Sequence, residues 1–147
     1  MGLDMYLSRD KENNLDVGYW RKANQIHNWF VENVQGGVDD CGHYPVTIAQ
    51  LEKLLGVVNK VLASCEMVEG QVNNGYRFEG EKKIPIMVEG KYVKNPDLAR
   101  ELLPTTEGFF FGGIDYDENY VADLTETKEI VEKALKEGGA YYYHSSW

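Results

Sequence analysis

Hydrophobic and polar positions alternate over residues 1–8. Met1, Leu3, Met5 and Leu7 fall on one side, and Gly2, Asp4, Tyr6 and Ser8 on the other. That period of two is the mark of a half-buried strand. The last eight residues, AYYYHSSW, alternate again, with Tyr141, Tyr143, Ser145 and Trp147 against Tyr142, His144 and Ser146. Between these ends the period lengthens. Over Val17–Val34 the residues Tyr19, Ala23, Ile26, Phe30 and Val34 share one helical face, opposite Arg21, Gln25, Asn28 and Glu32, and Gly36-Gly37 ends the run. Thr47 and Gln50 read as a capping box. They open a second helix with Ile48, Leu51, Leu55, Val58 and Leu62 inward. A third helix runs from about Glu118 to Lys136, with Tyr120, Leu124, Val131 and Leu135 inward, and stops at Gly138-Gly139.

The rest is less periodic. Residues 66–82 are polar and glycine-rich and read as a loop, with one short strand at Tyr76–Phe78. IPIMV and KYV read as two short strands around a turn at Glu89-Gly90. Asn95-Pro96 starts a short helix over DLARELL that ends at Pro104, and GFFFGG at 108–113 reads as a strand bounded by glycines. The expected fold is α+β, residues 1–147 forming a single domain. One mixed or antiparallel sheet holds both terminal strands, and three main helices pack on it.

Net charge of −9 changes the picture of partners. It argues against direct nucleic-acid binding and against an anionic membrane surface, and it would suit a basic protein. No run approaches the 18 apolar residues of a membrane span, and MGLDMYLSRD lacks the basic start and apolar centre of a signal peptide. Cys41 and Cys65 show no close spacing and fit a reducing compartment, so a cytoplasmic location is expected. Ten Tyr, five Phe and three Trp supply rings suited to half-wet surfaces. With strands at both ends of the chain, an uncovered edge or apolar patch is expected to make the protein a homo-oligomer.

Candidate chemistry begins at the predicted first helix. Trp20, Asn24 and His27, at i, i+4 and i+7, would line one shoulder with Arg21 beside them. That edge either recognises a flat polar ligand, with Trp20 stacked on it and Arg21 on a phosphate, or seals the rim of the core. Asn24 and Arg21 lie off the predicted core face. The loop Asp39-Asp40-Cys41-Gly42-His43 gathers metal-type ligands without a second zinc-spaced pair, so no metal is assigned and Asp40 is read as a turn former. Thr105 and Thr106 sit at the mouth of the GFFFGG segment as hydroxyl donors. The ligand-binding candidates are therefore Trp20, Arg21, Asn24, His27, Asp40, His43, Thr105 and Thr106. No catalytic residue and no cofactor is assigned. Neither a Walker loop nor a dinucleotide fingerprint is present.

The strings MGLDMYL, VGYWRKANQIHNWFV, DDCG, LLPTTEGFFFG and SSW resemble a group of small proteins encoded by phages and prophages. The likeness spans both ends and most of the chain but not residues 65–95. It implies a viral accessory product acting in the cytoplasm of an infected bacterium, with no catalytic residues to carry over. The expected function is a non-enzymatic protein that binds a small polar ligand and sequesters a nucleotide signal of host defence. An acidic inhibitor of a host defence protein is the alternative, and a small hydrolase or transferase the third.

Overall fold

A computed structural model describes residues 2–9, 16–108 and 112–147. Four strands, β1 (Asp4–Ser8), β2 (Asp16–Arg21), β3 (Tyr44–Val46) and β6 (Tyr141–Ser146), form an antiparallel sheet of order β2-β1-β6-β3. The two terminal strands pair at its centre, Asp4 opposite Ser146 and Ser8 opposite Tyr142. Their alternation was readable because one face is buried: Leu3, Met5, Leu7, Tyr141, Tyr143 and Ser145 all point into the core.

Helices α1 (Asn24–Asn33), α2 (Ile48–Ser64) and α4 (Glu118–Glu137) supply the rest of that core, with a short α3 (Asp97–Leu102) beside α2. α2 opens with the expected reciprocal cap: the Gln50 amide N–H donates to Thr47 Oγ1 at 3.0 Å, and the Thr47 N–H donates to Gln50 Oε1 at 2.9 Å. Tyr141 O–H donates to the Ala134 and Gly138 carbonyls at 2.8 and 2.9 Å, tying β6 to the end of α4. Phe30 stacks on Tyr143 at 3.9 Å between centroids.

The fold is α+β with four helices, but two expectations need correction. The sheet is not single. β4 (Met67–Glu79) and β5 (Lys82–Val93) form a separate two-stranded arm that turns at Gly80-Glu81. The expected turn at Glu89-Gly90 is mid-strand, where Gly90 pairs with Gly70. Solvent on both sides of the arm removes the one-sided hydrophobic pattern that marks a strand.

The first helix also begins later than its periodicity suggests. Residues 16–21 form β2, paired along β1, and Lys22 turns the chain with a left-handed φ of 56°. Trp20 is therefore a strand residue facing inward, and no helix shoulder joins it to Asn24 and His27. Gly18 lets α4 approach β2, since a Cβ there would collide with Ile130. Residues 109–111 of the predicted GFFFGG strand lie outside the described residues, as do residues 10–15, and Gly108, Gly112 and Gly113 are not in a strand.

Trp20 is fully buried, and its Nε1–H donates to Thr127 Oγ1 on α4 at 2.8 Å. Trp20→Ala should cost about 3–5 kcal/mol, combining lost burial with a cavity. Thr127→Val keeps the shape but leaves the indole N–H unsatisfied, at about 1–3 kcal/mol. Urea denaturation measures both, and a neutral Thr127→Val would show that the bond does not hold β2 to α4.

Candidate functional site

The corner after Trp20 builds a polar concavity. β2 ends in Arg21, Lys22 turns, and α1 starts two residues later. Opposite stands the first part of α4, and Thr105 with residues 112–117 closes the side. Together they enclose a cavity of about 260 Å³ lined by Arg21, Lys22, Gln25, Thr105, Asp115 and Asp123, among others. Lys22 holds its left-handed turn with its N–H donating to the Leu3 carbonyl at 2.8 Å. A non-glycine residue there carries local strain.

Asp123 lies against Gln25, whose Nε2–H donates to its Oδ2 at 3.3 Å. Burial pushes its carboxyl up to about 7, the Gln25 bond opposes the shift, and Glu126 and Asp117 reinforce it. Burial, then Asp117, also raises Asp115. Asp117 is committed to the N-terminus of α4, where its Oδ1 accepts the N–H groups of Asn119 and Tyr120 at 3.0 and 3.2 Å. The walls are thus less negative near neutral pH than their three carboxyls suggest.

Two further cavities adjoin this one through Asp115 and Asp117. The larger, about 540 Å³, runs beneath the arm and is lined by Tyr76, Met87, Tyr92, Ile114, Tyr116 and Arg100 among others. Four of those side chains, Tyr76, Met87, Tyr92 and Ile114, belong to the large hydrophobic residues that stay exposed. The result is a cleft with one end lined by Arg21, Lys22, Gln25 and three carboxyls and another lined by aromatic rings. No residue of the arm is among the sequence candidates, because its rings lie on segments that read as a loop with one short strand at Tyr76–Phe78 and as two further short strands, and only their pairing brings the rings together.

The sequence candidates divide among several places. Arg21 and Thr105 line the polar cavity. Arg21 Nη1 donates to Asp4 Oδ1 at 2.7 Å, a half-exposed pair of small energetic weight. Asn24 is buried, against expectation, and fixes the cleft wall: its Nδ2–H donates to the Gly113 carbonyl and its Oδ1 accepts the Thr106 N–H, each at 2.8 Å. Thr106 thus enters through its backbone. Thr105 Oγ1 donates to the Ile114 carbonyl at 2.9 Å. Trp20 is buried and cannot stack on a ligand from a helix edge.

His27, Asp40 and His43 lie elsewhere. His27 is buried between Tyr143 and Asp39, Nδ1 at 2.6 Å from the Tyr143 hydroxyl and Nε2 at 3.0 Å from Asp39 Oδ1. The carboxylate accepts, so Nε2 carries the proton and Nδ1 accepts from Tyr143. Burial holds His27 below its ordinary range and the Asp39 contact works against that. Trp147 Nε1–H also donates to Asp39 Oδ1, at 3.0 Å. Asp40 accepts from the Tyr44 hydroxyl and the Gly42 N–H, a turn-forming arrangement. His43 stacks on His144 at 4.2 Å, and His144 on Tyr6 at 4.6 Å, along the outer face of the sheet. Among the described residues, no three His, Cys, Asp or Glu side chains gather as a metal ion would require. Nor is any described helix long and apolar enough to cross a membrane.

No family model, curated protein or solved structure matches the chain.

The raised carboxyl of Asp123 has a defined consequence for stability. Between about pH 4 and 7 the folded state keeps a proton that the unfolded state has released, so this group's contribution falls as pH rises through that window and is flat above it. Asp123→Asn removes the penalty. The variant should match wild type near pH 4 and exceed it at pH 8 by roughly 1–3 kcal/mol. Thermal melts across that range check this, and a variant less stable at pH 8 would mean that the ionised carboxylate is well accommodated.

Proposed function

We propose that this protein binds a small molecule carrying an anionic group and a planar ring, a nucleotide being the class that fits best, and that it holds this ligand without converting it. The observation that carries the reading is Lys22: a cation kept in a strained left-handed backbone at the rim of the cleft. Strain of this kind persists only where the surroundings impose it, and it concentrates at functional sites. Arg21 beside it offers a second cation, and Gln25 with the Asp123 carboxyl offers donors and acceptors to a polar edge. The rings beneath the arm offer stacking surfaces at the other end. The resemblance to phage-encoded proteins supports a role in an infected cell, where retention of a nucleotide signal would blunt a host response.

Lys22→Gly separates binding from folding. Glycine relieves the left-handed turn, so the melting temperature should stay level or rise, by an amount equivalent to about 1 kcal/mol. Affinity for the bound nucleotide should drop about ten-fold or more, the loss of one charge-assisted contact. Calorimetric titration of wild type and variant with a panel of mono- and dinucleotides measures both. Failure of every nucleotide to bind wild type would overturn the proposal, as would unchanged affinity in the variant.

A further inference from the structure

We propose, on the reading of the cleft as an anion-binding site, that Asp123 meets the ligand's anionic group as a neutral acid, so that each ligand bound carries one proton in with it. Asp123, Arg21 and Lys22 line one cavity of about 260 Å³. An anion held by Lys22 therefore shares its enclosure with this carboxyl. Among the described residues Asp123 forms no ion pair, and its side chain accepts one hydrogen bond, from Gln25 Nε2 at 3.3 Å. Arg21 is already paired with Asp4 at 2.7 Å. The cavity thus brings carboxyl and cations together without letting them neutralise each other.

The other groups around Asp123 favour the acid. Glu126 follows it on α4, Asp117 caps that helix, and Asp115 stands in the segment before. Tyr120 also lines the cavity, but its burial keeps the phenol protonated, and Gln25 from α1 is neutral. Burial pushes the Asp123 carboxyl up to about 7, so near neutral pH it stands between its two forms. A phosphate placed beside it adds one more negative charge and shifts it further toward the acid. The acid O–H then donates to a phosphate oxygen, a charge-assisted bond, where the carboxylate would only repel. Proton and anion favour each other by the same factor in both directions, and the proton comes from solvent. A cationic or donor-rich edge seated on Asp123 has the opposite linkage, since it favours the carboxylate and drives a proton out. The sign of the proton exchange therefore tells which part of a ligand meets Asp123.

Calorimetric titration with adenosine mono- and dinucleotides, in buffers of different ionisation enthalpy, reads that sign. At about pH 8.5 uptake should approach one proton per ligand. Affinity should fall about fifty-fold between about pH 7 and pH 9, a range in which a terminal phosphate has already lost most of its second proton. Asp123→Asn keeps a donor in the same place and has no proton to gain. Its affinity should stay level across that range and exceed that of wild type at the upper end, with no proton exchange. Net proton release overturns the proposal and leaves the cleft reading standing, as does binding to wild type with no exchange and level affinity. An Asp123→Asn variant that keeps the wild-type pH dependence overturns it too, because another group then titrates. Failure of every nucleotide to bind wild type at about pH 7 defeats the cleft reading itself, and this inference with it.

Discussion

A buried indole must find a hydrogen-bond acceptor, and Trp20 has one way to do so here. Its Nε1–H reaches Thr127 Oγ1, and that hydroxyl donates in turn to the Asp123 carbonyl at 2.7 Å. This two-bond chain runs from the edge strand of the sheet across the core to the turn of α4 that carries Asp123. It fixes the spacing between β2 and α4. The residues that follow Trp20 along the chain, and those one turn before Thr127 on the helix, then face each other as the two walls of the polar cavity. The cleft is thus a by-product of how the core satisfies one side chain.

The third wall depends on a second buried polar group. Asn24 spends both ends of its amide on the backbone of Thr106 and Gly113, which ties both to the start of α1. The Tyr143–His27–Asp39–Trp147 cluster plays the same part at the far end of α1, joining helix, central strand and chain terminus through one neutral imidazole. Buried polar groups hold the framework, while the groups left facing the cleft are Lys22, the raised carboxyl of Asp123 and a set of half-exposed rings. That division lets a side chain facing the cleft be replaced without touching the core.

How much of this was readable beforehand follows from the physics of each segment. The terminal strands and α2 and α4 showed in the sequence because each buries one face, and burial writes a period of two or 3.6. The start of α1 did not, because Trp20 and Ala23 fit a helical face as well as they fit an inward strand residue followed by a corner. The strand-like alternation of Val17, Tyr19 and Arg21 around Gly18 was the available sign. A left-handed lysine gives no warning, since glycine or asparagine is the usual choice there. Arg21 and Thr105 are sequence candidates that line the cleft, whereas Asp115, Asp123 and Tyr76 line it without being among those candidates. Their relevance arises only when α4 and the arm are brought beside the corner. The arm shows in the sequence only as short strands at Tyr76–Phe78, IPIMV and KYV, because a ribbon largely wet on both faces has no continuous hydrophobic period to read.

The central claim is that ligand enters the cleft between the Trp20 corner, α4 and the arm. Amide NMR spectra recorded as a nucleotide is titrated into the labelled protein test it most directly. The account predicts shift changes concentrated at Lys22, Gln25, Thr105, Gly113, Asp115 and Asp123, extending to Tyr76 and Tyr92 on the arm. Changes centred on the outer face of the sheet, at Tyr6, His43 and His144, would contradict it.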